Sequence, residues 1–159
     1  MRILGIDPGF DRTGWGLVED RGSKLTQIAC GCIQTSADQS FSERLQVVRD
    51  ELSVVMKNYV PEAVAVEHIF FQTNVKTAIK VGMARGVILL AIADARLPLV
   101  ELTPGQVKQG LTGYGAADKK QVQEMVVRLL KLSSVPKPDD IADALAIAIV
   151  GSTLAKRLN

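Results

Sequence analysis

The chain has 159 residues, 47% of them hydrophobic and 23% charged, with a net charge of +2, the composition of one ordinary soluble globular domain. Its longest apolar stretches, 86–93 and the alanine-rich run before Gly151, fall well short of the ~20 residues of a membrane span. The first residues show no long apolar signal region, so a cytoplasmic protein with no membrane contact is expected.

A short apolar run over 3–6 ends at Asp7, and Pro8-Gly9 is a turn signal. Strands are expected over 14–19 and 24–35, separated by Arg21-Gly22-Ser23, giving an antiparallel meander. Residues 43–59 read as a helix, because Leu45, Val48, Leu52, Val55, Met56 and Tyr59 recur at helical spacing, and Pro61 stops it. Val64-Ala65-Val66 is continuously apolar, which predicts a buried strand over 63–67. A long helix over 74–95 and a strand over 98–102 follow.

Thr103-Pro104 is a helix start, with a capping hydroxyl and proline at the first helical position. Asp118 caps a helix running to 132, with Gln121 three residues on as in a capping box. The last helix begins near Pro138 and runs toward Lys156. The order β-β-β-α-β-α-β followed by helices predicts an α/β domain over 1–159, a mixed sheet with helices on both faces. Periodicity leaves the strand order open.

The chemistry lies in the carboxylates. Asp7 closes a buried strand with a charge, which is costly unless the charge is paired, solvated or bound to metal. Glu67 repeats the arrangement after Val64-Ala65-Val66. If the two strands are parallel neighbours, both acids meet at one end of the sheet. In Asp140-Ile141-Ala142-Asp143 the i, i+3 spacing puts Asp140 and Asp143 on one helix face; Asp139 is offset toward solvent. Acids in a first helical turn also stabilise the helix dipole by ~0.3–1 kcal/mol. That alternative explains Asp139 and Asp140 but not Asp143. Converging carboxylates suit hard divalent cations such as Mg²⁺ or Mn²⁺.

No serine triad or histidine pair offers a competing nucleophile. Cys30 and Cys32, two apart on a strand, are poorly placed to bond each other and read as small strand residues, with no zinc site. His68 follows Glu67 and points to the opposite face of its strand, a structural position. Over 76–137 ten Lys/Arg stand against four Asp/Glu, a surplus of +6, which leaves −4 for the rest. A basic half beside an acidic cluster is what a metal-using nuclease needs; solvated helix faces give the same count.

At these residues the chain resembles the RuvC family of Holliday-junction resolvases. The resemblance runs over essentially the whole chain. Its motifs are Gly5-Ile6-Asp7-Pro8-Gly9 with Thr13-Gly14-Trp15-Gly16, Val66-Glu67-His68-Ile69-Phe70-Phe71, Gly82-Met83-Ala84-Arg85-Gly86, Val107-Lys108-Gln109, and Asp140-Ile141-Ala142-Asp143-Ala144-Leu145-Ala146. The resemblance implies an RNase H-like fold with a mixed five-stranded sheet. It implies a homodimer making paired symmetric nicks in opposing strands of a four-way DNA junction. It further implies two Mg²⁺ per site, with Mn²⁺ able to substitute, and cooperation with the RuvA and RuvB branch-migration helicase. The function is then DNA recombination and repair.

Carried over residue by residue, the acidic tetrad is Asp7, Glu67, Asp140 and Asp143, as catalytic and metal-binding groups. The third place varies in the family between Asp and His, and Asp139 stands beside it here. Phe70 matches a loop aromatic that stacks on bases near the crossover, with Phe71 next to it. Lys108 and Lys119 match lysines that touch phosphate, and Lys120 adds a charge beside them. A solvated face is an equal reading for each lysine. The dimer helix is the long one, with Ala78, Gly82, Gly86 and Leu89 on a stripe that permits close approach; packing on its own sheet competes.

Three other functions are open to this residue set. An actin-like or sugar-kinase phosphotransferase shares the opening motif but needs a second domain. A YqgF-type RNase H-like nuclease acting on ribosomal RNA precursors shares it too, with less likeness around Glu67 and Asp140. A non-catalytic junction-binding module does not account for the intact tetrad.

Overall fold

The protein is described by a computed structural model covering residues 1–22, 24–68 and 75–156, without the side chains of Val75 and Lys76. Strands β1 (Arg2–Asp7), β2 (Arg12–Asp20) and β3 (Leu25–Gln34) form the expected meander. Helix α1 (Phe41–Tyr59), β4 (Ala63–Glu67), α2 (Val75–Asp94) and β5 (Leu99–Leu102) follow, then α3 (Pro104–Thr112), α4 (Lys119–Leu130) and α5 (Asp139–Ala155).

Helix starts follow the capping chemistry. Ser40, Thr103 and Asp118 each close a capping box, with Glu43, Gln106 and Gln121 respectively. The first of these begins α1 two residues before the expected start at 43. Helix α4 stops at Leu130 rather than 132 because Lys131 adopts the left-handed conformation, φ 54°.

The sheet order is β3-β2-β1-β4-β5. β1 and β2, and β2 and β3, pair antiparallel; β1 and β4, and β4 and β5, pair parallel. In register, Ile6 faces Val66, so Asp7 and Glu67 stand one step beyond the same rung. This mixed sheet with helices on both faces is the RNase H-like architecture that the sequence led us to expect.

Strand alternation sorts the core into two layers. Leu4, Ile6, Leu17, Val64 and Val66 pack under α1 and α2 with Val48, Leu52, Ile88 and Ile92. Ile3, Val18, Ala63, Ala65 and Leu102 pack under α3, α4 and α5 with Val107, Val126, Leu145 and Ile147. By the same alternation Asp7 and Glu67 fall on the α5 side. Burying these apolar side chains at about 25 cal/mol per Å² is what drives both layers together.

Helix α5 lies unusually close to the sheet because both surfaces are small. A Cβ on Gly5 would sit 2.2 Å from the Ala144 carbonyl oxygen, and one on Gly14 would sit 2.0 Å from that of Asp140. Any side chain at either position would lift the start of α5 off β1 and β2. The glycines of the opening motifs therefore set where the acids of α5 stand.

Candidate active site

Three elements deliver the acids to one place. β1 and β4 end on Asp7 and Glu67 as parallel neighbours. The first turns of α5 carry Asp139, Asp140 and Asp143, held down over Gly14. Between them opens a cavity of ≈ 300 Å³ lined by Asp7, Glu67, Lys108, Lys119 and Asp143, over an apolar floor of Val107, Val122 and Ala146.

The electrostatics are strained by design of the burial. Burial pushes Asp7 up to about 7, reinforced by the negative charges of Asp143, Glu67 and Asp140 and only partly opposed by Lys119. Burial, with Asp143 close by, also raises Glu67 to about 7 against the pull of Lys108. Asp143 is raised by burial in spite of its hydrogen bond from Lys119. At neutral pH this cluster holds more carboxyl than its own cations can ionise.

The cations present sit on the α5 acids. Lys119 Nζ donates to Asp143 Oδ2 at 3.1 Å and lies 3.5 Å from Asp139 Oδ2. Burial works against the Lys119 charge, but the Asp143 and Asp139 carboxylates outweigh it and its pKa rises. Asp139 is held by Lys137 at 2.7 Å, which lowers its pKa. Arg12 Nε lies 3.2 Å from Asp140 Oδ2. Among the described residues no three acids close around a point with their side chains in these positions.

The donor set nonetheless fits a hard divalent cation. Asp7 and Glu67 carry no ion pair among the described residues, and burial disfavours their charge. Asp140 Oδ2 is buried and accepts no aligned hydrogen bond, with only the half-exposed Arg12 guanidinium beside it among the described residues. Buried oxygens short of positive charge are the ligands that Mg²⁺ and Mn²⁺ take.

The structure thus brings together Asp7, Glu67, Asp143, Lys108 and Lys119 around one cavity, with Asp140 outside its lining but near enough for its charge to raise Asp7. It does not bring Lys120 there: that side chain is 84% exposed and pairs with Glu124 along α4. Phe70 and Phe71 lie outside the described residues. His68 does face away from Glu67, toward Glu101, at 3.6 Å from its carboxylate; Glu101 also pairs with Arg85 of α2. Cys30 and Cys32 are free and pack against the core beneath α4 and α5.

Helix α2 exposes an apolar stripe that meets the small-residue stripe read from the sequence at Gly86. Ile79, Met83 and Leu90 are 57%, 50% and 57% exposed, and a Cβ on Gly86 would meet nothing within 4 Å. These four share one face at helical spacing. Ala78 and Gly82 flank it, half-buried. Leu89 packs partly against the chain's own core, because one residue along a helix turns the side chain by about 100°.

Arg12 escaped the sequence reading. The signal was present in strand alternation, which puts Arg12 on the same face as Gly14, but its acidic partner lies far downstream on α5.

The whole chain also has close relatives. The family model for crossover junction endodeoxyribonuclease RuvC matches residues 3–151. The crossover junction endodeoxyribonuclease RuvC of Thermosipho melanesiensis is 54% identical over 148 residues, covering 93% of this chain and 94% of the relative. The solved structure of Thermus thermophilus RuvC superposes with a TM-score of 0.90 at 38% identity, over 99% of this chain and 96% of that one. The T. thermophilus protein in complex with a Holliday junction substrate gives a TM-score of 0.90 at 35% identity, with the same coverage. With the model match spanning nearly every element described above, the chain belongs to the RuvC family of crossover junction endodeoxyribonucleases.

Proposed function

We propose that this protein resolves four-way DNA junctions by hydrolysing one phosphodiester in each of two opposing strands, using a divalent metal held by Asp7, Glu67, Asp140 and Asp143. The observation that carries this reading is the pair of buried acids at adjacent parallel strand ends, both pushed up to about 7, facing the α5 acids across one cavity. When bound there, two Mg²⁺ ions, or Mn²⁺ in their place, supply an activated water and stabilise charge on the leaving oxygen.

The chain's own residues do the rest. Asp7 and Glu67 are fixed by the sheet and cannot drift apart. Lys119, which holds Asp143, would be free to pair with a backbone phosphate if a metal took its place there, and Lys108 lies on the same cavity wall. Phe70, with Phe71 beside it, is the aromatic that stacks on an unpaired base, worth ~1–3 kcal/mol per base.

Two such sites suit a two-fold junction if the protein is a two-fold dimer. The α2 stripe of Ile79, Met83, Gly86 and Leu90 is the face for it, apolar and open to solvent. Cooperation with the RuvA and RuvB helicase, and a place in the cytoplasm alongside the DNA, go with this reading. The RNA-directed alternative is not favoured, since a RuvC relative is solved with a Holliday junction as its substrate.

The test is a labelled four-way junction beside a matched linear duplex, each with Mg²⁺ or with EDTA. Metal-dependent, paired cutting of the junction alone is expected. Equal cutting of linear DNA, or cutting that persists in EDTA, overturns the reading.

A further inference from the structure

Arg12 opens β2, and strand alternation puts it on the α5 side with Gly14 and Gly16. A Cβ on Gly14 would lie 2.0 Å from the Asp140 carbonyl oxygen, and one on Gly16 would lie 2.7 Å from Leu145 Cδ2. Those two positions have no room for a side chain. Arg12, just beyond the start of α5, is the first on this face to have one, and it reaches back to Asp140.

The contact it makes is weakly committed. Nε lies 3.2 Å from Asp140 Oδ2, and the Arg12 side chain is 54% exposed. The oxygen is buried, yet it accepts no aligned hydrogen bond from the guanidinium or any other described group. A half-solvated ion pair without aligned hydrogen bonds stabilises little. A guanidinium set free at that rim keeps five donors in a planar fork, the geometry that suits a phosphate.

Arg12 contrasts with the other cations here. Lys119 makes an aligned hydrogen bond to Asp143 and lines the cavity wall. Lys137 is spent on Asp139, outside the cavity. Arg44, a buried arginine, is fixed between Thr35, Asp11 and the Phe10 ring. Among the described residues, only Arg12 combines a loose hold on one of the four acids with an exposed side chain.

We propose that Arg12 is a positioning residue with two stations: it holds Asp140 while the site lacks metal, yields it to a divalent cation, and then contacts a backbone phosphate of the bound DNA. This rests on reading the four acids as a metal site for DNA cleavage. Arg12 thereby links loading of the metal to grip on the substrate.

The test uses the full chain with wild-type Arg12, Arg12→Gln and Arg12→Lys. Mn²⁺ binding without DNA is followed by the free-ion EPR signal. Junction binding is followed by anisotropy across a salt series, with and without Ca²⁺, and the DNA is checked on denaturing gels for integrity. Arg12→Gln should bind Mn²⁺ more tightly, on the order of threefold to tenfold, because one competing positive charge is gone. With Ca²⁺ present, the wild-type plot of log K against log salt should be steeper than that of Arg12→Gln by about 0.9, one phosphate contact. Without Ca²⁺ the two slopes should coincide; with Ca²⁺, Arg12→Lys should restore the steeper slope.

Weaker Mn²⁺ binding by Arg12→Gln would mean that Arg12 supports the metal and does not compete with it, which overturns the proposal. So do equal slopes in Ca²⁺. If the wild-type protein itself binds no Mn²⁺, the metal reading fails first, and that failure is visible without any variant.

Discussion

Asp20 and Asp7 lie at opposite ends of the β1–β2 ladder, one under each end of α5, and they meet opposite treatment. Asp20 is 6% exposed. It accepts from Lys156 at 2.7 Å, Ser152 at 2.9 Å and the Gly22 backbone N–H at 2.8 Å. Burial raises its pKa, but these partners outweigh it and the net shift is downward. Asp7 has burial without partners, other acids nearby, and a pKa near 7. The same residue type under the same helix is a satisfied structural group at one end and an unsatisfied one at the other. Among the described residues, the fold gives a buried aspartate at one end of α5 a lysine and a serine, and leaves a second one at the other end without a hydrogen bond or ion pair.

The largest expected effect is on cutting. Asp7→Asn keeps the shape and removes a charged ligand, so junction cleavage should fall by orders of magnitude while junction binding survives. Asp20→Asn should cut junctions at close to the wild-type rate at room temperature. Parallel cleavage and binding assays check both; equal losses of cutting in the two variants would erase the distinction between them.

Stability should move the other way. The folded pKa of Asp7 lies above its ordinary 3.8, so the folded state binds more protons than the unfolded one. Its contribution is then full below about pH 4 and is lost as pH rises through about 7. At pH 8 the metal-free Asp7→Asn variant should therefore be more stable than wild type by roughly 2–4 kcal/mol, with the gap closing toward pH 4. Mg²⁺ should raise the wild-type Tm at pH 8 and leave Asp7→Asn nearly unmoved. Thermal melts over a pH series, with and without Mg²⁺, give both readings.

For Asp20 the sign reverses. Its folded pKa is lowered, so its contribution is present above the ordinary 3.8 and lost as pH falls through the folded value. Asp20→Asn should lose about 1–3 kcal/mol at pH 8 by leaving Lys156 and Ser152 short of an acceptor. Denaturant titration at pH 8 and pH 3 tests it, with a smaller loss at pH 3.

The smallest effect separates two adjacent lysines. Lys119→Ala should slow cleavage at least tenfold, as loss of a charge-stabilising donor does. Lys120→Ala should stay within about twofold, since an exposed i, i+4 pair with Glu124 contributes little. Single-turnover rates compare them directly.

Much of the site was legible in the chain itself. Apolar runs that stop on Asp7 and Glu67 mark buried strands ending in charge, and the i, i+3 spacing of Asp140 and Asp143 puts both on one helix face. The capping residues at Thr103 and Asp118 placed the starts of α3 and α4. The parallel pairing of β1 with β4 was not legible, because periodicity carries no information about which strands pair. Nor was Arg12, whose role depends on a contact between the start of β2 and the start of α5. On α2 the sequence did not tell Leu89 from Leu90, which look alike in the chain; only packing decides that Leu90 faces solvent while Leu89 packs partly on the core.

The most direct measurement is the carboxyl chemical shift of Asp7, followed by ¹³C NMR through a pH titration of the metal-free protein and repeated with Mg²⁺. A midpoint at about 7 is expected without metal and one displaced far to the acid side with it. A midpoint near 4 in the metal-free protein, unchanged by Mg²⁺, would contradict it.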